Sequence, residues 1–263
     1  MSSGQDPSDT SERGTSGQRR GVDEHFDSAG QTFSGRSLTG TGFDDDDGSI
    51  DPQLAEALQQ PGDETALMAA LAQARLLVPI VAALAEADES GEHPVEKSTD
   101  MAVVTLTAAS GERALPVFTD TASLAAWDPQ ARPSPVRADL AAQAAIAEQC
   151  DVMVLDVATR QLVLRSSMLW ALAQRTTWQP PHLDDHVRQA VSRAVAEEDD
   201  VSEARCEAGR LPGELRVVLA VRPGLTQPQL QAVAQRVGER IATDGETRAR
   251  IDGLTFSVVS AGA

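Results

Sequence analysis

The stretch from Leu67 to Val81, LMAALAQARLLVPIV, decides how the rest of the chain is built. Leu67, Ala70, Leu71 and Ala74 recur at the spacing of one helix face; Leu76, Leu77, Val78, Ile80 and Val81 then form a short, β-branched-rich apolar run. A helix therefore passes into a strand with no glycine between them. The joint carries no hydroxyl, thiol or imidazole, and Arg75 is its only charge. It is a core nucleus and not a site. Pro79 lacks an amide donor, which predicts that the strand lies at a sheet edge or a bulge.

Upstream, Asp51-Pro52 reads as a helix cap followed by proline at the first helical position, with Leu54, Ala55 and Leu58 as the buried stripe, and Asp63 caps the helix that leads into the joint. Residues 1–50 hold 23 Ser, Thr or Gly and show no apolar period. Such a chain cannot bury enough surface to offset its ordering entropy, so a disordered acidic tail is expected, serving as tether or solubiliser. Asp44 to Asp47 read as a solvated charge run.

Downstream of a polar loop at residues 86–100, Met101 to Thr107 and Arg113 to Phe118 read as two strands joined by a turn at Ser110-Gly111. Thr119 or Asp120 caps a short helix ending near Trp127, and the proline-punctuated DPQARPSPVR, residues 128–137, reads as an ordered surface loop. An alanine-rich helix over 139–148 follows, and then a hairpin of Cys150 to Val157 with Gln161 to Arg165. Ser166 caps the next helix. Residues 176–183, with Pro180-Pro181, read as a linker. Beyond it come a helix with Val187, Val191 and Val195, strands at Val201 to Cys206 and Leu215 to Val221, a helix with a Thr226–Gln229 capping box, and a last strand at Leu254 to Ser260. The expected fold class is thus α+β: a mixed domain of hairpins and capped helices over 51–175, and a small split-βαβ-like domain, order αββαβ, over 184–263.

The net charge of −18 and the absence of a basic cluster argue against nucleic acid and anionic membrane as partners. Cys150 and Cys206, the only thiols, supply neither a disulfide framework nor a zinc cage. The start, MSSGQDPSDT, has no apolar stretch, and the longest apolar run, Leu76 to Ala85, is far short of the ~18 residues that span a bilayer. A cytoplasmic location is expected.

No G-x-S-x-G elbow, phosphate loop or G-x-G-x-x-G after a strand occurs, so no nucleotide cofactor and no enzymatic activity are expected. His182 and His186 have the spacing of a zinc pair, but Pro180-Pro181 puts His182 ahead of the helix, and no metal is expected. Asp151 and Asp156 flank their strand an odd number of residues apart and point to opposite faces. Arg113, Arg132 and Arg137, with Trp127, are the best binding candidates: guanidinium forks take carboxylates bidentately and an indole offers an apolar wall. The alternative is that Trp127 plugs its loop into the core while the arginines neutralise nearby acids.

The segments LLVPIV (76–81), DMAVVTLTAASGERALPVFTD (100–120), LAAWDPQARPSPV (124–136) and CDVMVLDVATRQLVLRSSMLWALA (150–173) together resemble the SseB-like family, bacterial cytoplasmic proteins named for enhanced serine sensitivity, and the arginine-rich sequence is similar to its actinobacterial branch. The resemblance covers 51–175 well, 184–263 more loosely, and not the first 50 residues. It implies an α+β amino-terminal domain, a smaller carboxy-terminal domain and no established enzymatic chemistry. The expectation is a non-enzymatic protein acting through its folded surface, on an unidentified protein partner or by self-association. The alternative is a small-molecule sensor for an amino acid related to serine.

Overall fold

Two aspartates set where the helices begin. In the computed structural model, which describes residues 43, 46–60, 62–83 and 100–261, the Asp51 carboxylate accepts the N–H groups of Gln53 (2.8 Å) and Leu54 (3.1 Å) at the start of α1 (Pro52–Ala57). Asp63 accepts from Ala66 at the start of α2 (Glu64–Gln73). Ala74 then turns extended, φ −79° and ψ 154°, and the chain enters β1 (Arg75–Ala83) without a glycine, as its sequence predicts. Leu71 and Leu76 on either side of the joint are fully buried. The tail expected over 1–50 lies outside the described residues except at its end. There Asp46 receives the Arg75 guanidinium (2.6 Å), which also donates to the Ser49 and Thr119 carbonyls, and Ile50 packs on the core. The polar loop at 86–100 lies outside the described residues up to residue 99.

β1 is the centre of a three-stranded antiparallel sheet, between β2 (Asp100–Val103) and β5 (Arg132–Arg137). Two expectations are corrected here. Pro79 lies neither on an edge strand nor at a bulge, and residues 132–137 form a strand where a loop was expected. The reason is one alternation. Leu77 exchanges both backbone hydrogen bonds with Phe118 (2.8 and 2.9 Å), so its polar groups face away from β5. Leu76, Val78 and Ile80 therefore aim at β5, and Pro79 faces the opposite side, in the gap before the first pair with β2, Ile80 with Val103. On β5, Pro133 and Pro135 sit opposite Pro79 and Leu77. Prolines two apart on an edge strand take only the outward amide positions, which the ladder does not use.

The run 101–107, expected as one strand, is divided between two sheets. After β2 the chain breaks at Val104-Thr105 and β3 (Leu106–Thr107) joins β4 (Arg113–Val117). β4 pairs parallel with β6 (Val152–Leu155), which pairs antiparallel with β7 (Leu162–Leu164), in the order β3-β4-β6-β7. α3 (Thr121–Trp127), capped by Asp120, and α4 (Ala138–Ala147) connect these strands, and α5 (Ser166–Gln174) follows β7. Helices and both sheets close over one core that includes Leu71, Leu76, Leu115, Met153, Leu155 and Met168.

At the end of β6, Asp156 takes a left-handed φ of +52° and is fully buried. Its carbonyl accepts the N–H groups of Thr159, Arg160 and Gln161, and its carboxylate accepts the Thr119 N–H and hydroxyl, both at 2.9 Å. Asp151, at the other end, is exposed and accepts the Arg113 N–H (2.8 Å). The two carboxylates work apart.

A second core lies between α6 (Asp185–Val195) and α7 (Gln227–Thr243) and a sheet of β8 (Val201–Ala208), β9 (Glu214–Val221) and β10 (Gly253–Ser260). Gln229 accepts both the N–H and the hydroxyl of Thr226 at the start of α7, and a short α8 (Gly245–Ala249) precedes β10. The strand order is β10-β9-β8, with β9 and β10 parallel and adjacent. The βαβ unit is therefore not split: no strand among the described residues separates its two parallel strands.

The segment read as a linker, 176–183, packs on the first core through Trp178, 5% exposed, whose indole N–H donates to Ser167 Oγ (3.1 Å). Nor does Ser166 cap α5; its hydroxyl donates to the Asp151 carbonyl (2.9 Å). The cap comes from 85 residues away. Asp252 accepts the Ser167 N–H (2.8 Å) and hydroxyl (2.7 Å) and the Arg165 Nε (3.0 Å), while Arg165 forks onto Glu64 of α2 (2.7 and 3.0 Å). Arg250 makes a second tie: its guanidinium lies 4.9 Å from the Trp170 ring centre and donates to Asp184 (2.7 Å).

Asp252→Ala leaves a helix start and a guanidinium without their acceptor, and is expected to lower unfolding free energy by about 2 to 3 kcal/mol. Asp252→Asn, which keeps an acceptor for Ser167, is expected to cost about half of that. Urea unfolding measures both, and a loss under about 0.5 kcal/mol for the alanine variant contradicts the role given to Asp252.

Burial, opposed by the Thr119 hydrogen bonds, holds the Asp156 carboxyl above its ordinary value of 3.8. A folded state that keeps its proton longer than the unfolded state loses stability as pH rises through that interval. In Asp156→Asn this contribution to the slope of urea midpoint against pH, upward from about 4, is expected to vanish. A slope equal to wild type sinks the assignment.

Candidate functional site

The four residues singled out from the sequence do not converge. Trp127 ends α3 and stacks at a tilt on Phe118, ring centres 5.4 Å apart, in a small core with Leu77 and Leu124. Arg132 and Arg137 are the two ends of β5, five residues or roughly 16 Å apart along a strand. Both are exposed. Arg113 begins β4 in the other sheet, half-buried, its backbone held by Asp151.

Of these, Arg137 lines a cleft. The cleft, about 360 Å³, opens between α2 and the end of α5, with Met68, Ala72 and Trp178 as apolar wall and Arg137, Asp139 and Arg175 as polar end. Asp139, at the second position of α4 and 4% exposed, accepts from Arg137 (3.0 Å) and from Arg175 (2.6 Å). Burial works against its ionisation, but the Arg175 hydrogen bond and the two guanidinium charges outweigh burial and hold its carboxyl below 3.8. Two cations on one carboxylate leave a net positive end, and both arginine side chains keep more than half their surface open. The arrangement can receive a small anion or carboxylate. Sequence reasoning missed Arg175 and Asp139. Arg175 sits at a left-handed helix end, φ +55°, 36 residues from the acid it binds, and no local pattern reports that pairing.

A larger groove, about 610 Å³, runs between α1, α2 and β7, lined chiefly by Leu58, Leu67, Leu162, Val163, Met168 and Pro212. Val163 is 45% exposed, and Leu211, beside Pro212, is 70% exposed. The alternation of β7 accounts for it: Leu164 faces the core while Val163 faces out. Glu64 and Arg165, bonded to each other, form its polar rim.

His182 lies ahead of α6, and His186, inside it, meets Asp244 through Nε2 (3.3 Å). Among the described residues no group of three or more His, Cys, Asp or Glu is placed to hold a metal ion. Burial pushes both thiols, Cys150 and Cys206, upward, away from the reactive thiolate. No helix among the described residues is long and apolar enough to cross a membrane.

No curated protein and no solved structure matches the chain. The family model described as the SseB protein N-terminal domain matches residues 50–171. That span runs from Ile50, which packs on the first core, to Ala171 of α5, and takes in α2, every strand of the first two sheets and the Asp156 turn. Residues 50–171 are thus similar, as a unit, to the SseB protein N-terminal domain.

Proposed function

We propose that the protein is a non-enzymatic member of the SseB-like family that works through its folded surface, docking an apolar segment of a partner protein in the groove between α1, α2 and β7. The observation that carries this reading is the exposure of Val163, an apolar side chain that lines that groove. Apolar side chains left open at a well-formed groove with a satisfied polar rim are the usual foundation of a binding surface. The buried carboxylates support the same reading from the other side. Asp139, Asp156, Asp184 and Glu198 are each engaged by arginine, threonine or backbone donors, which commits them to holding the fold.

The cleft at Arg137 and Arg175 favours a second reading, a sensor for a carboxylate-bearing metabolite such as a free amino acid. A melting screen separates the two. A ligand at a hundred times its dissociation constant adds about 2.7 kcal/mol, which for a domain of this size is a shift of about 5 to 10 °C. Under the first reading serine and its relatives leave the melt unchanged, and a one-to-one partner held by the wild-type chain is released by Val163→Glu with the melt intact. An amino-acid shift that disappears in Arg175→Ala would replace the first reading with the second.

A further inference from the structure

The β10-β9-β8 sheet ends in two edges, and only one of them carries charge. β10, GLTFSVVS, has none. β8, VSEARCEA, carries Glu203, Arg205 and Glu207, alternate positions on one sheet face with signs minus, plus, minus. Glu207 holds Arg216 of β9 (2.6 Å), whereas Arg205 is exposed and has no ion-pair partner among the described residues.

The backbone of β8 has a fixed sense. Gly209 donates its N–H to the Glu214 carbonyl (2.9 Å), and the strands pair antiparallel with Glu207 opposite Arg216 and Arg205 opposite Val218. Alternation from Gly209 turns the polar groups of Glu203, Arg205 and Glu207 toward β9, and those of Ala204, Cys206 and Ala208 toward the open edge. β8 is last in the strand order, so no strand among the described residues meets them.

We propose that β8 pairs with β8 of a second copy of this chain, antiparallel about a two-fold axis at Cys206, joining two three-stranded sheets into one of six. Axes at Ala204, Arg205 and Cys206, the middle of the strand, each let the open amides meet. An axis at Arg205 sets that arginine against itself and Glu203 against Glu207, which is repulsive. An axis at Ala204 draws in Ser202, where the strand slips register between Val201 and Glu203. An axis at Cys206 stays within the regular stretch, sets Ala204 opposite Ala208, and brings each Arg205 against the partner's Glu207. Those two positions do not share backbone bonds, so their side chains come closest. Edge charges usually block pairing because they repel; alternating signs make this edge self-complementary. The two-fold also keeps both α6 helices on one face. The groove between α6 and β8, about 770 Å³, with Leu183 53% exposed at its side, then lies next to its copy and is covered. This face is separate from the groove at β7, and neither proposal depends on the other.

Sedimentation equilibrium of the full chain tests it. The expected result is a reversible dimer, twice the 27.8 kDa of the chain. Arg205→Glu sets like charges face to face at two symmetric positions and is expected to weaken the dimer about tenfold or more. Adding Glu207→Arg to it restores the dimer, whereas adding Glu203→Arg does not. Ala204→Pro removes an amide that faces the open edge and leaves the β9 ladder whole, so it gives a monomer with an unchanged melt. A chain monomeric at hundreds of micromolar, a dimer that ignores both Arg205→Glu and Ala204→Pro, or rescue by Glu203→Arg in place of Glu207→Arg overturns the proposal.

Discussion

A carboxylate taken out of water must be given back its hydrogen bonds, and this fold is arranged around that demand. Asp252, whose side chain is 12% exposed, has the longest reach. It supplies the cap that α5 lacks, and it takes the Arg165 guanidinium whose other fork holds α2, so one side chain ahead of β10 fixes two helices of the first core. Removing either partner of such a set leaves the other desolvated and unpaired, which costs more than the pair contributes over an apolar replacement. The tie is therefore a constraint on geometry more than a reservoir of stability.

The same logic recurs wherever a charge goes inside. Glu198 is gripped by Arg236 and Arg240 of α7, Asp184 by Arg250, and Asp139 by Arg137 and Arg175. Burial and pairing pull opposite ways in Asp139, Glu198 and Asp156, and the outcome depends on which partner is present. Asp139 and Glu198, each bonded by arginine, lie below the ordinary carboxyl range; Asp156, held mainly by threonine with Arg160 at 3.6 Å, lies above it. An acidic chain with 21 arginines uses much of its positive charge as internal counterion. Arg137, singled out from the sequence, is one of these, on Asp139.

What could be read from the sequence was what neighbours in the sequence determine. The Asp51 and Asp63 caps, the joint at Ala74, the hydrophobic stripe of α6 and the Thr226–Gln229 box of α7 depend on residues within a few positions of each other, and the structure has them as read. Prolines 133 and 135 misled because proline signals a loop until one knows which side of the strand is open. The run 101–107 gave no sign of its break, since a strand that changes sheets keeps the same composition. The polar end of the cleft joins Arg137, Asp139 and Arg175, and its third member arrives only through tertiary packing. Trp127 read either as a ligand wall or as a plug in the core, because indole area suits both uses, and it is packed on Phe118.

The long reach of Asp252 also bears on synthesis. A growing chain that has left the ribosome as far as Gln174 carries α5 with its first amides open to water and Arg165 paired only with Glu64. The first core is complete in apolar content by then, apart from Trp178, but its last helix stays unlatched until residue 252 emerges. Assembly of the two halves is thus vectorial in one direction only: the later half locks the earlier, and the window between them is when chaperones or proteases would find the molecule least defended.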